Sequence, residues 1–159
     1  MSIKNSMKSV ERVEGLWTQR RAELRERERD RFRVRPRLDR MEVGIAGLGT
    51  IGTAVARALD GGIDGLRLAA IATRTREKAL ARMEEFSRPV PILTLQELAK
   101  RVNVVVECVP AAAFTEVALP ALEAGCILIT VSGGALMQHL DLVELAKRSG
   151  GRIILATGA

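Results

Sequence analysis

This sequence has little of what metal, thiol or proton-transfer chemistry would use. It holds two cysteines, Cys108 and Cys126, and one histidine, His139, in 159 residues. The cysteines lie in apolar stretches with no C-x-x-C spacing and no histidine cluster beside them. Neither a zinc site nor a disulfide framework is expected, and reduced thiols suit a cytoplasmic location. No apolar run reaches the length of a membrane span, and the N-terminus has no apolar core of a secretion signal. A transit peptide fits poorly, because the Arg-rich start carries Glu23, Glu26, Glu28 and Asp30 and such peptides are poor in acids. A paired nucleophile and base, a metal constellation and a Walker-type Gly-Lys-Ser are also missing.

Net acid is missing too, since the formal charge is +6, and a basic chain invites a nucleic-acid partner. Dividing the charge along the chain confines that reading to the first forty residues. Residues 1–40 carry 13 Lys/Arg against 7 Asp/Glu, whereas residues 41–159 carry 12 of each. The excess base thus lies in a segment whose only aromatics are Trp17 and Phe32, with no recognisable nucleic-acid fold. From Thr18 to Arg35 this segment alternates Arg with Glu or Asp, with pairs such as Glu23 and Arg27 at helical spacing. It has almost nothing to bury. It reads as a disordered leader or the product of an early start codon, with Met41 the expected true start, or else as a solvated helix or a polyanion-binding arm.

What is present begins at Met41. Residues 41–52 read Met-Glu-Val-Gly-Ile-Ala-Gly-Leu-Gly-Thr-Ile-Gly, a short apolar strand running into Gly47-x-Gly49-x-x-Gly52. In such a motif the first glycine allows a tight strand-to-helix turn, the second lets backbone approach a pyrophosphate, and the third lets the helix pack closely. The phosphates then sit on the free N–H groups of the helix N-terminus, with Leu48, Thr50 and Ile51 completing the loop. The pattern alone is weak, and its context carries it. Val43, Ile45 and Ala46 form the strand, while Ala54, Val55, Ala56, Ala58 and Leu59 give the following helix a small apolar face.

Strand and helix patterns alternate from there, which predicts an α/β fold with a parallel sheet and crossover helices. The expected strands are 42–46, 67–73, 90–93, 103–107, 126–131 and 152–156. The expected helices are 50–60, 75–86, 94–100, 111–123 and 136–148. Val104-Val105-Val106 and Ile127-Leu128-Ile129 are continuous apolar runs, as when helices cover both faces. The expectation is a Rossmann-type doubly wound sheet of about six strands over residues 41–159.

In such a sheet the end of the second strand selects the cofactor. An acid there bonds the ribose 2′-hydroxyl, and basic residues take a 2′-phosphate. Here the strand ends Thr73-Arg74-Thr75-Arg76, with no carboxylate, so NADP is favoured over NAD, with Arg74 and Arg76 as its phosphate contacts. Cys108-Val109-Pro110 and Ser132-Gly133 follow the fourth and fifth strands, at the carboxyl edge where ligands bind, and are expected to line the nicotinamide and ribose. Cys108 reads as a small buried hydrophobe, and Ser132 either contacts cofactor or caps the next helix. Glu107 is a charge at the end of a buried strand, and it faces a further domain, holds a loop by hydrogen bonds, or acts as a base for which the sequence names no partner. His139 reads as solvated.

Several of these stretches resemble the cofactor half of the L-aspartate dehydrogenase family, which is related to the nucleotide-binding domains of homoserine dehydrogenases. They are Val43 to Gly52, Val105-Val106-Glu107-Cys108, Leu119-Pro120-Ala121-Leu122, Val131-Ser132-Gly133-Gly134-Ala135-Leu136, and Gly158-Ala159. One departure is Val109-Pro110, which stands where the family has small residues. The resemblance implies an oxidoreductase that interconverts L-aspartate and oxaloacetate plus ammonia through iminoaspartate, with hydride passing to or from NAD(P). It further implies a place in NAD biosynthesis and a cofactor contact at Ala159. The family's catalytic histidine and most of its amino-acid pocket lie in a later substrate domain, and His139 does not match that histidine's surroundings. The chain by itself is therefore expected to bind dinucleotide without turnover, with no nucleic-acid or membrane partner and with self-association through the face a second domain would cover. A stand-alone dinucleotide-binding or redox-sensing regulatory module is the alternative.

Overall fold

The computed structural model describes residues 40–156. The extension at 1–39 and Ala159 lie outside the described residues. Six strands appear in chain order: β1 (Met41–Ala46), β2 (Leu66–Ala72), β3 (Ile92–Leu93), β4 (Val104–Glu107), β5 (Ile127–Thr130) and β6 (Arg152–Leu155). Between them run α1 (Thr50–Asp60), α2 (Arg76–Met83), α3 (Leu95–Arg101), a short 3₁₀ turn at Ala111–Ala113 leading into α4 (Phe114–Glu123), then α5 (Gly133–Gln138) and α6 (Asp141–Ser149). All strand pairs are parallel, in the order β3-β2-β1-β4-β5-β6. The order reverses between β1 and β4, which is the switch point where doubly wound sheets bind ligands.

Local sequence explains the elements. β1 buries Val43 to Ala46 without alternation, because helices cover both faces of the central strands. On one face α1 and α2 set Ala56, Leu59, Ala79 and Met83 against Val43, Ile45 and Ile71. On the other, α3, α4 and α6 set Leu98, Phe114, Val117, Leu122 and Leu142 against Ala70, Val105 and Leu128. α3 starts on a complete capping box between Thr94 and Glu97, which satisfies two otherwise unpaired backbone donors. That pairing holds the Glu97 carboxyl below its usual range, chiefly through the Thr94 backbone N–H.

One element differs from the sequence expectation. The single helix expected at 136–148 is two helices, because the chain leaves helical geometry at His139 (φ −132°, ψ 54°) and restarts at Asp141. His139 is half-buried rather than solvated, and its ring stacks on Phe114 with centroids 6.4 Å apart. Among the described residues no helix is long and apolar enough to cross a membrane.

Candidate dinucleotide site

The glycine loop leaves β1 and enters α1 at the switch point. Gly47 has φ +94°, and a Cβ there would lie 2.5 Å from the Cys108 carbonyl oxygen. Only glycine fits that position, on both conformation and space. At Gly52 a Cβ would lie 1.9 Å from the Gly47 carbonyl oxygen and 3.3 Å from the Cys108 Cβ, so α1 packs directly on its own loop and on the end of β4. Gly49 is the exception. Its φ of −77° suits any residue, and nothing lies within 4 Å of a Cβ built there. The protein itself gives no reason for glycine at 49, whereas a phosphate lying on the loop does.

Gly49 is also the N-cap of α1, with no side-chain cap and no acid in the first turn. The first N–H groups of an 11-residue helix therefore face the cleft with the positive end of its dipole. Thr53 donates its hydroxyl to the Leu48 carbonyl at 3.4 Å and accepts from Arg82 Nη1 at 3.4 Å. This ties the loop to α2. Thr50 and Ile51 are exposed on the first turn.

A cleft of about 410 Å³ opens over this loop. One wall is Gly47, Leu48 and Gly49, a second is Thr73, Arg74 and Thr75 with Lys78 and Arg82 of α2, and a third is Cys108, Val109 and Pro110 with Glu116 of α4. Arg74 reaches across it to Glu116, at 3.3 Å between exposed side chains. A larger cavity of about 520 Å³ lies elsewhere, lined by Asp60, Ile63, Leu66, Arg67 and Arg88 among others. It touches neither the glycine loop nor the carboxyl ends of the strands, and the ligand rule for open sheets selects the smaller cleft.

Gly47, Leu48, Gly49, Thr73, Arg74, Cys108, Val109 and Pro110 thus share one cleft, whereas Thr50, Ile51 and Gly52 lie behind the loop and do not line it. Arg76 is exposed and does not line the cleft, so the basic pair reaching it besides Arg74 is Lys78 and Arg82. Thr75, Lys78 and Arg82 recur at helical spacing, which is the signal in the sequence for this wall. Ser132 and Gly133 stand at the same sheet edge one strand further out and do not line this cleft. Ser132 occupies the N-cap of α5 without a side-chain cap bond, and its N–H donates to the Thr130 hydroxyl at 2.9 Å.

Below the third wall lies Glu107, fully buried, as is Thr130. The Glu107 carboxylate accepts the Val109 N–H at 2.9 Å and the Thr130 hydroxyl at 2.6 Å. Of the roles open to Glu107, these hydrogen bonds are those of the loop-holding one. Cys108, half-buried beside it, has its thiol pushed up to about 11, mainly by burial and then by the Glu107 charge. It stays protonated at neutral pH and is no nucleophile there. Among the described residues no group of three or more His, Cys, Asp or Glu could hold a metal ion.

Comparison with known proteins agrees with this geometry. The family described as homoserine dehydrogenase, NAD binding domain, matches residues 47–156. A protein named L-aspartate dehydrogenase from Bradyrhizobium diazoefficiens is 43% identical over 119 residues, covering 75% of this chain and 42% of its own length. L-aspartate dehydrogenase 3 of Bordetella bronchiseptica is 38% identical over 122 residues, covering 76% and 45%. The chain thus spans less than half the length of these curated relatives. Among solved structures, a probable dehydrogenase from Thermotoga maritima superposes with TM-score 0.65 at 21% identity, over 73% of this chain and 36% of that one. Scyllo-inositol dehydrogenase from Lactobacillus casei, solved with NAD(H) and scyllo-inositol, gives TM-score 0.60 at 16% identity over 74% and 36%. At those identities the likeness speaks for the fold alone.

Proposed function

From the premise that this chain belongs to the family of homoserine dehydrogenase-type NAD-binding domains, we propose that it is the cofactor-holding domain of an oxidoreductase of the L-aspartate dehydrogenase kind, with NADP preferred over NAD. The observation that carries the cofactor reading is the contrast among the three glycines, of which two are required by the protein's own packing and the third only by a ligand. Relatives at 43% and 38% identity named L-aspartate dehydrogenase support the substrate class.

In this reading the α1 N-terminus and Gly47, Leu48 and Gly49 hold the pyrophosphate, with Thr50, Ile51 and Gly52 forming the turn behind it. Thr73, Arg74, Lys78 and Arg82 hold the adenosine end, and their positive charge fits a 2′-phosphate. Cys108, Val109 and Pro110, with Ser132 and Gly133 further out, face the nicotinamide half, and Ala159, outside the described residues, is assigned to the cofactor by the family resemblance alone. The bound cofactor supplies the hydride chemistry, and the chain supplies grip, orientation and exclusion of water. The residues of the cleft include no neutral base beside Cys108, and His139 is stacked on Phe114. On this reading the chain alone holds cofactor, and aspartate turnover needs the substrate domain that the resemblance implies.

Separate titrations with NADPH and NADH, followed by cofactor fluorescence, test this. Tighter binding of NADPH is expected. Tighter NADH removes the NADP preference, and binding of neither removes the cofactor reading. Oxidation of NADPH by the isolated chain with oxaloacetate and ammonia would remove the division of labour.

A further inference from the structure

Glu107 presents a problem that loop-holding does not solve. Proton accounting fixes the direction of its network. Ser132 N–H donates to the Thr130 hydroxyl oxygen, Thr130 gives its single hydrogen to Glu107, and Val109 N–H donates to the other carboxylate oxygen. Both oxygens accept, and a proton on either would find no acceptor among these partners, so the network is the one an ionised carboxylate makes. Yet among the described residues none of the ion pairs includes Glu107. A buried carboxylate without a cationic partner is costly, even with two donors turned towards it. Tying two loops does not require the charge, because a neutral acceptor would do that at lower cost.

The position suggests what offsets the cost. Glu107 ends β4 and pairs in register with Ala46 on one side and Thr130 on the other. Ala46 directly precedes the glycine loop. The charge therefore sits at the switch point, under the loop Cys108-Val109-Pro110 of the cleft and on the β4–β5–β6 half of the sheet. In a doubly wound dinucleotide fold that half takes the nicotinamide mononucleotide. The oxidised nicotinamide ring is cationic and the reduced ring is neutral.

We propose that Glu107 is a positioning and selecting residue whose fixed negative charge makes this site favour the oxidised over the reduced cofactor. The proposal rests on the dinucleotide reading given above. Its effect is electrostatic and acts on only one of the two redox forms, which separates it from a packing role. The raised thiol of Cys108, to which the Glu107 charge contributes, agrees with a negative potential at this wall.

The test measures dissociation constants of NADP⁺ and NADPH, and of NAD⁺ and NADH, for the full chain and for E107Q, E107D and T130V. Removing the charge in E107Q is expected to raise the ratio of oxidised to reduced dissociation constants by about tenfold, as for unit charges interacting at short range through a partly screened interior. E107D keeps the charge and retains the parental ratio within about threefold, even if both forms bind more weakly. T130V cuts the tie, keeps the charge and weakens both forms alike. E107M, a neutral residue of similar length, repeats the measurement where E107Q does not fold. Parental binding with the same ratio in E107Q or E107M overturns the proposal, as does a ratio lost equally in E107D. If the parent binds none of the four cofactors, the dinucleotide reading itself falls, and the proposal with it.

Discussion

Two glycines three residues apart are expected to respond oppositely to substitution. In G52A the new Cβ would sit 1.9 Å from the Gly47 carbonyl oxygen, a backbone atom that can retreat only by moving the loop. Overpacking of this kind costs about 1–3 kcal/mol, and so short an approach belongs at the upper end. The better helix propensity of Ala returns at most about 1 kcal/mol. A net loss of about 2 kcal/mol is expected, which lowers Tm by roughly 6–10 °C in a domain of this size. In G49S the Cβ enters open space at an extended backbone position. Serine is also a better N-cap than glycine by a few tenths of a kcal/mol, so the apo protein should melt at or slightly above the parental temperature. Its hydroxyl, however, takes the N–H groups that a phosphate would use, and its Cβ fills the approach. Cofactor affinity should fall at least about tenfold, or roughly 1.4 kcal/mol. Thermal melts by circular dichroism without cofactor, paired with NADPH fluorescence titrations, separate the two effects. If G49S melts as low as G52A, or binds NADPH like the parent, the assignment of Gly49 to the ligand is wrong.

Three further outcomes follow from the same structure. K78Q and R82Q should each weaken NADPH by about 3- to 10-fold, as expected for loss of one charge-assisted phosphate contact, and leave NADH nearly unchanged. R76Q should alter neither, E116Q should tighten NADPH by releasing Arg74, and equal losses for both cofactors would show that these cations do not read the 2′-phosphate. The Cys108 thiol, raised to about 11 by burial and the Glu107 charge, should alkylate slowly at pH 8 and speed up only as pH climbs past 10. Because the unfolded thiol ionises near 9.0, the same shift makes stability fall as pH rises from about 9 to 11, and fast labelling of Cys108 at pH 7 would contradict it. Finally, among the described residues β6 is an edge strand with Ile154 47% and Leu155 42% exposed, and Met137 on α5 is 68% exposed. Such an edge promotes self-association, so light scattering should detect oligomers at high concentration that I154K reduces, and a monomeric parent would refute it.

The parts of this fold that could be read from the residues are those in which a backbone requirement is written locally. The three glycines of the β1–α1 turn are such a case, since each answers to a contact within a few residues or to a ligand. α1 begins and ends at the expected residues 50 and 60, because its apolar face and flanking glycines are unambiguous. The break between α5 and α6 was hidden for the opposite reason. Gly133-Gly134 argue against a helix start, yet they form the first turn of α5, and the apolar pattern of Leu136, Leu140 and Val143 continues across the break at His139. Of the two basic residues expected on this wall, Arg74 lines the cleft and Arg76 does not. Arg76 opens α2, and on that helix Lys78 and Arg82, four residues apart, share the face that lines the cleft.

Glu107 marks the limit of local reading most clearly. Its burial was foreseeable as an anomaly, a carboxylate closing a Val-Val-Val strand. Its partner was not, because Thr130 lies 23 residues further on and only the β4–β5 register brings the two side by side. That register also decides what the residue can do. Shifted by one position, the carboxylate would point to the other face of the sheet, and neither Val109 nor Ser132 would be tied to a single charge. A cofactor cleft assembled from several strand ends depends on such cross-strand links to keep its walls at a fixed spacing. The Glu107–Thr130 bond couples two of those ends through one ionised group, so removing either partner should be felt at both the Cys108 and the Ser132 loops, and only removing the charge should tell one redox form of the ligand from the other.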